Sequence, residues 1–267
     1  MPTKWFRYKL SETVTKKINY LDFCHKEMKV NKSIDDKLFN FNYFSKTPHS
    51  IEYNFFKKKL KNRCISIGSG KGHLEYHLSQ KKINILATEI NNNFIKYNQK
   101  IKFIKLNIIT DNKKISSLGK FDNIIISNLE LLFNNQSLQI LLKNIKKISH
   151  KQTNIFFCFR SRYSILSNII DNYICPLEIF LLKIFYFLFK KKKYFFSKHQ
   201  IGYRRTVKEF EYYLKKNFKI ISIYKDLFTL EYNRSILIRF FNLAPLLSII
   251  LLKQHPSLFI YQLKINT

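Results

Sequence analysis

Short apolar runs alternate along the chain with segments whose apolar residues recur at helical spacing. The apolar runs predict seven β-strands, at residues 64–67, 83–88, 101–109, 121–127, 154–159, 218–224 and 259–265. The helical spacing predicts helices at residues 50–61, 73–80, 93–100, 136–148 and 207–216. This alternation favours right-handed crossovers and an α/β fold, in which helices cover both faces of a mostly parallel sheet.

Four segments divide the chain. Residues 1–60 are polar and aromatic, and we interpret them as a helical lid or docking segment in front of the five-strand unit at 61–160. Residues 161–205 interrupt the pattern with an aromatic and basic insertion, which we interpret as a cap or a membrane-contacting element. Residues 206–267 complete the sheet, and their first helix is marked by the T-x-x-E spacing of Thr206 and Glu209, which predicts a capping box.

Three glycines form a loop directly after the first predicted strand and before a helix. Gly68, Gly70 and Gly72 allow a tight turn and a close approach of the backbone to a ligand. The helix start that follows offers unpaired amides to an anionic group. A dinucleotide fingerprint requires a third glycine at position 73, where the chain has His73. The loop therefore predicts a nucleotide-like ligand other than a dinucleotide.

Two segments carry a resemblance to a known family. IGSGKGHL at 67–74 and FDNIIISNLELLF at 121–133 resemble motifs I and IV of class I S-adenosylmethionine-dependent methyltransferases. The resemblance covers residues 60–160, and 206–224 in outline. It implies a Rossmann-like seven-stranded, mostly parallel sheet with a helical cap or insertion, and S-adenosylmethionine as cofactor without a metal. It implies cofactor binding by Gly68, Ser69, Gly70, Gly72, Glu89, Ile90, Asn107, Ile108 and Asn128.

Individual roles follow from the same resemblance. Glu89 lies 21 residues after Gly68 and would accept the ribose hydroxyls. Asn107 stands at the end of the third strand, beside the adenine, where the family more often has Asp. Ser127, Asn128 and Leu129 would border the methyl group and the substrate entrance.

One position departs from the pattern of the family. Ser66 stands two residues before the first glycine, where the family usually carries an acidic residue. The departure implies that the methionine ammonium is bound more weakly or by another residue.

The catalytic residue is left open by the sequence. Methyl transfer is a direct displacement that needs alignment and at most one base. His73, His77, His150 and His199 are candidates for that base, and His199 is preferred because it precedes IGYRRT on the insertion.

The apolar segments at 177–189 and 240–252 bear on the acceptor. The first is shorter than a bilayer span and is followed by Lys190–Lys193, which is typical of an interfacial helix on anionic lipid. A small-molecule, lipid or lipid-linked acceptor and contact with an anionic membrane surface are therefore expected. Ordinary packing within the cap is the alternative interpretation of both segments.

Two other functions remain open. The loop IGSGKGHL also resembles ribosomal RNA adenine dimethyltransferases, although NLEL at 128–131 lacks the proline and tyrosine of that family. Nucleic acid is therefore the less favoured partner. Because of Ser66, a non-catalytic Rossmann-like interaction protein is the third hypothesis.

Composition changes this picture little. The 48 Lys and Arg against 17 Asp and Glu give a net charge of +31, which either attracts anionic partners or reflects a general compositional bias. The four cysteines lack the spacing of a zinc site, and no metal is expected. The amino terminus lacks the pattern of a signal peptide, so a cytoplasmic location is expected, with peripheral attachment at the inner face of the membrane as an extension.

Overall fold

The computed structural model describes residues 3–6, 30, 32–47, 49–161, 201–226 and 258–266, and singly 173, 177, 180, 181, 184 and 188. Within these residues the chain forms a seven-stranded sheet with helices on both faces and a separate two-stranded sheet. The preferred base His199, most of the apolar segment 177–189 and all of 240–252 lie outside the described residues.

The strands of the described chain are β1 Thr3–Phe6, β2 Arg63–Ile67, β3 Asn84–Glu89, β4 Phe103–Lys105, β5 Phe121–Ser127, β6 Ser149–Arg160, β7 Ile201–Arg204, β8 Phe218–Asp226 and β9 Leu258–Ile265. The large sheet has the order β4-β3-β2-β5-β6-β9-β8. Its first five strands are parallel, and β9 runs antiparallel to both β6 and β8. In the small sheet β1 pairs with β7.

The α-helices of the described residues are α1 Lys32–Asp35, α2 Phe41–Phe44, α3 His49–Lys59, α4 His73–Ser79, α5 Asn92–Tyr97, α6 Asn112–Ser117, α7 Asn135–Lys147 and α8 Val207–Lys215. Two 3₁₀ turns, Asp36–Phe39 and Glu130–Leu132, connect them to their neighbours. The predicted capping box opens α8: Thr206 Oγ1 accepts from the Glu209 amide at 3.0 Å, and the Glu209 carboxylate accepts from the Thr206 amide at 2.8 Å.

Strand β5 shows how the sheet divides the core. Ile124 and Ile126 are fully buried against the side that holds α7 and α8. Ile125 is fully buried on the opposite side, together with residues of α2, α3 and α4. Successive side chains of a strand point to opposite faces, so the uninterrupted isoleucine run matches a strand that is covered on both sides. The predicted burial on both faces is confirmed.

The third predicted strand is the main correction to the predicted elements. The apolar run suggested residues 101–109, but β4 spans only Phe103–Lys105. The Asn107 side-chain oxygen accepts from the Ile109 amide at 3.0 Å, and its carbonyl accepts from the Asp111 amide at 3.0 Å. An asparagine that bonds the backbone two residues ahead makes a turn, and here that turn follows the strand and prevents its extension. The short polar helix α6, which follows the turn, was missed.

Candidate functional site

The order of the strands reverses between β2 and β5. From β2 the sheet continues through β3 to β4, and from β5 it continues in the other direction to β6. Loops at the carboxyl ends of two such strands separate and leave a crevice, where α/β sheets bind ligands. A cavity of about 340 Å³ opens there, a volume that suits a small molecule. It is lined by His49, Gly68, Ser69, Gly70, Lys71, Gly72, His73, Leu74, Glu75, Phe94, Ser127 and Asn128.

The three glycines serve different purposes in this loop. All have positive φ, at +68° for Gly68, +58° for Gly70 and +72° for Gly72, a region that favours glycine. A Cβ on Gly68 would lie 2.6 Å from Leu129 Cδ1, and one on Gly72 would lie 2.7 Å from Ile101 Cδ1. A Cβ on Gly70 would meet no described atom within 4 Å. Gly68 and Gly72 thus allow close packing, whereas Gly70 keeps the cavity open.

Glu89 holds the glycine loop from the end of β3. Its Oε2 accepts from the Gly70 amide at 2.8 Å. Its Oε1 accepts from the amides of Ile90 at 2.7 Å and Asn91 at 2.9 Å. Because the three amides fix both oxygens of a buried side chain, the carboxylate is held rigidly behind the loop that borders the cavity.

Ser66 and Glu75 form a buried pair below the loop. The Ser66 hydroxyl donates to Glu75 Oε1 at 2.6 Å. Ser66 and Glu75 are only 1% and 2% exposed, and burial raises the pKa of the Glu75 carboxyl to about 7. Sequence reasoning flagged Ser66 as a departure and missed Glu75. The sequence did contain one signal for Glu75. Acidic residues are rare in this chain, 17 in all, and this one stands beside the apolar positions of the helix that follows the glycine loop.

Helix α3 brings a second buried carboxylate, that of Glu52, to the end of β5. Glu52 is fully buried, and its Oε1 accepts from the Ser127 hydroxyl at 2.7 Å and from Asn128 Nδ2 at 3.2 Å. Its Oε2 lies 2.8 Å from His49 Nδ1. Helix α3 therefore joins the end of β5 through side chains, and His49 lines the cavity. Neither His49 nor Glu52 was identified from the sequence, because no local motif marks them.

Three side chains that line the cavity carry buried polar atoms without a hydrogen-bond partner among the described residues: His73 Nε2, Glu75 Oε2 and Asn128 Oδ1. Burial lowers the pKa of His73 to about 4, so its imidazole is neutral near pH 7. Buried polar groups in native proteins are nearly always satisfied, by protein, water or a ligand. The concentration of such atoms on one cavity indicates a polar ligand.

The segment before β2 is attached to the glycine-loop region by polar contacts. Lys71 Nζ lies 2.8 and 2.7 Å from the two carboxylate oxygens of Asp35. His77 Nε2 lies 2.8 Å from the Leu38 carbonyl oxygen, and burial lowers the pKa of this histidine. These contacts tie Asp35 and Leu38 to Lys71 of the glycine loop and to His77 of α4.

The predicted cofactor residues fall into two groups. One group lines the cavity and comprises Gly68, Ser69, Gly70, Gly72 and Asn128. The other lies outside the lining and comprises Glu89, Ile90, Asn107 and Ile108. Glu89 accepts a hydrogen bond from the loop at Gly70, and the Ile90 amide donates to Glu89. Ile108 is 5% exposed within the core, and the side-chain oxygen of Asn107 accepts a hydrogen bond within its own turn. Leu129 packs beneath Gly68.

Part of the apolar segment after β6 is also described. Leu177, Phe180, Leu181, Ile184 and Leu188 have helical backbone and expose 41–61% of their surface. Their spacing of three, one, three and four residues places them on one face of a helix. Among the described residues no helix has the length and apolar character needed to cross a bilayer.

Comparison with known proteins finds similar folds among solved structures. Neither a model of a protein family nor a curated protein matches the chain. A S-adenosylmethionine-dependent methyltransferase from Archaeoglobus fulgidus is similar in structure, with a TM-score of 0.51 and 18% identity over 84% of this chain and 98% of that one. A second, from Anabaena variabilis, gives 0.55 and 13% over 97% and 96%.

A third similar structure was solved with S-adenosylhomocysteine bound. It is magnesium protoporphyrin IX methyltransferase from Synechocystis, with a TM-score of 0.52 and 10% identity over 92% of this chain and 100% of that one. Identities this low show a shared fold. Together with the strand order and the antiparallel β9, they establish that the chain has the fold of the class I S-adenosylmethionine-dependent methyltransferases.

Proposed function

We propose that the chain is a S-adenosylmethionine-dependent methyltransferase whose cofactor binds in the cavity above the glycine loop. The observation that carries the proposal is the group of three unpartnered buried polar atoms, on His73, Glu75 and Asn128, that surround this cavity at the switch point of a methyltransferase fold. A non-catalytic scaffold has no need to keep such atoms buried around open space, because each costs roughly 1–3 kcal/mol.

The residues present fit the cofactor. Gly70 leaves room for a ligand against the backbone, and Glu89 is held by amides at the end of β3, where the resemblance expects the ribose. When bound, S-adenosylmethionine supplies an electrophilic methyl group on a sulfonium. The chain would position the acceptor, and the pair of Lys71 with Asp35 ties helix α1 to the glycine loop at the cavity.

His49 is our proposed general base. A carboxylate only accepts hydrogen bonds, so the His49 tautomer that donates from Nδ1 to Glu52 carries its lone pair on Nε2. Asn128 donates to Glu52 and keeps its side-chain oxygen for a ligand in the cavity. When the acceptor takes the methyl group that the cofactor would supply, Nε2 of His49 would accept the proton that the acceptor loses.

The acceptor we propose is a small molecule of lipid or lipid-linked character. Large apolar side chains between 177 and 188 are exposed on one face, directly before the four lysines at 190–193. An apolar face beside a basic run suits the surface of an anionic membrane, and we place the protein at the inner face of such a membrane. RNA is the second candidate, because the loop IGSGKGHL also resembles ribosomal RNA adenine dimethyltransferases and the net charge of +31 suits a phosphate backbone.

Cofactor binding is tested by calorimetric titration of S-adenosylmethionine into the wild type and two variants. Gly70→Asp places an anionic side chain in the cavity and should abolish binding. Gly119→Asp is the matched control, because Gly119 has a similar φ of +73° but lies outside the cavity lining. It should bind as the wild type does. Failure of the wild type to bind the cofactor would refute the proposed function.

The membrane component has a separate test. Cosedimentation with phosphatidylglycerol vesicles is compared with phosphatidylcholine vesicles and with an RNA duplex. Phe180→Glu with Leu181→Glu should abolish binding to the anionic vesicles, whereas Tyr212→Glu, a change at a residue 56% exposed on α8, should not. Equal binding by both variants would mean that charge alone attracts the protein, and preference for RNA would favour the second candidate.

A further inference from the structure

The position of the Glu75 carboxylate suits contact with a positively charged group of a ligand. It lies on α4, which directly follows the glycine loop, and it lines the cavity although it is only 2% exposed. The Ser66 hydroxyl holds Oε1 at 2.6 Å. Oε2 accepts no hydrogen bond from any other residue in the described part of the chain. One oxygen is thus anchored by the protein and the other remains for a ligand.

The basic side chains around the cavity have other partners. Lys71 Nζ lies 2.7 Å from Asp35, and His49 Nδ1 lies 2.8 Å from Glu52. His73 is neutral near pH 7, because burial lowers its pKa to about 4. None of these described groups bonds to Glu75. A buried carboxylate gains most from a paired cation that it also hydrogen-bonds, and here the ligand is left to supply that cation.

We propose that Glu75 binds the α-ammonium group of the methionine part of the cofactor, with Ser66 orienting its carboxylate. The proposal rests on the proposed function and assigns one contact within it. The family usually carries an acidic residue at the position of Ser66, at the end of the strand. In this chain the carboxylate belongs to Glu75 on the helix after the loop, and it lies next to that position because the Ser66 hydroxyl donates a hydrogen bond to it. The chain thereby keeps an anion at this place with a different residue.

The protonation of Glu75 gives the proposal a second readout. Burial raises the pKa of its carboxyl to about 7, whereas His49 lowers this pKa and Glu52 raises it by smaller amounts. A bound ammonium stabilises the charged carboxylate, so its pKa falls on binding and a proton is released below about pH 7. Affinity should therefore rise up to about pH 7 and fall again only in the alkaline range where the ligand amino group loses its own proton.

The experiment is a calorimetric titration with two ligands, S-adenosylhomocysteine and methylthioadenosine, the second of which lacks the amino-acid part. In Glu75→Gln the affinity for S-adenosylhomocysteine should fall by at least about 30-fold, and the rise of affinity toward pH 7 should disappear. The affinity for methylthioadenosine should stay at the wild-type value. The double variant S66D/E75S, which returns the carboxylate to the strand, should recover binding that E75S alone loses.

The outcomes separate this proposal from the proposed function. If the wild type binds S-adenosylhomocysteine and Glu75→Gln binds it equally well, the assignment of Glu75 is refuted while the methyltransferase proposal stands. Equal loss of both ligands would also contradict the assignment, because Glu75 would then support the fold of the site and not the ammonium. A wild type that binds neither ligand would refute the proposed function itself.

Discussion

Arg205 should be a main stabiliser of the loop that carries Asn128. The side chain is 1% exposed and donates to the carbonyl oxygens of Glu130 at 2.9 Å and Phe133 at 2.6 Å. It also donates to Asn135 Oδ1 from Nε at 3.3 Å and from a terminal nitrogen at 3.2 Å. Burial lowers its pKa, and the Glu130 carboxylate opposes that shift, so the guanidinium remains charged beside an acid.

The perturbation is Arg205→Met, which keeps the apolar stem and removes all donors. It leaves the Phe133 carbonyl and the Asn135 side-chain oxygen without the Arg205 donors, and it leaves the Glu130 carbonyl with only the Phe133 amide at 3.3 Å. It also removes the cation that interacts with the buried Glu130 carboxylate. Removing one partner from a buried charge arrangement costs about 3–5 kcal/mol. At roughly 2–4 °C per kcal/mol for a chain of this size, the melting temperature should fall by roughly 6–20 °C.

Arg63 provides the matched control. It also donates to two backbone carbonyls, those of Lys120 at 3.1 Å and Leu118 at 2.9 Å, and lies over the Phe121 ring. It is exposed, so water replaces its hydrogen bonds after Arg63→Met. That variant should lose no more than about 1.5 kcal/mol. Both free energies are measured by urea unfolding followed by circular dichroism. Equal losses in the two variants would refute the argument from burial.

Three further outcomes are expected. Gly72→Ala should lower the free energy of unfolding in urea by about 1–3 kcal/mol, because its Cβ would overlap Ile101 and Phe103. Gly70→Ala should lower it by only about 1–2 kcal/mol, because only the strain of the left-handed backbone is added. Equal losses in the two variants would contradict the packing described for these glycines. Cys64 and Cys158 are fully buried, and burial raises the pKa of both thiols, that of Cys64 to about 11. A thiol reagent should therefore leave both cysteines unlabelled until urea unfolds the chain, as measured by mass spectrometry. Labelling in the native state would contradict this. Thr206→Ala should destabilise the protein by about 1 kcal/mol and Thr206→Ser by much less, as measured by thermal unfolding, and a harmless alanine would mean that the capping box is not important for stability.

The sheet was predictable because its signals are local. The isoleucine run of β5 and the glycine loop after β2 can be read from a few consecutive residues, and both lie where the pattern placed them. The short β4 was not predictable from apolarity, since the turn of Asn107 depends on hydrogen bonds to its neighbours. Strands β1 and β7 pair across almost two hundred positions, and no local pattern encodes that pairing.

The glycine-loop side of the candidate site was predictable from the sequence, and the α3 side was not. Gly70 and Asn128 are marked by motifs and line the cavity. Glu52 comes from a helix 75 positions before Ser127 and meets it through a buried hydrogen bond, so only the fold brings the two together. The proposed role of Glu75 rests on its contact with Ser66, which the sequence does not show. The sequence shows only that an acid is missing at position 66.

The central claim is that the cavity above the glycine loop holds the cofactor, and a crystal structure of the protein with S-adenosylhomocysteine tests it most directly. The account predicts density for the nucleoside against Gly70 and next to Glu89, with the amino-acid ammonium in hydrogen-bond contact with Glu75. A ligand bound elsewhere, or a cavity that stays free of ligand at saturating concentration, would contradict it.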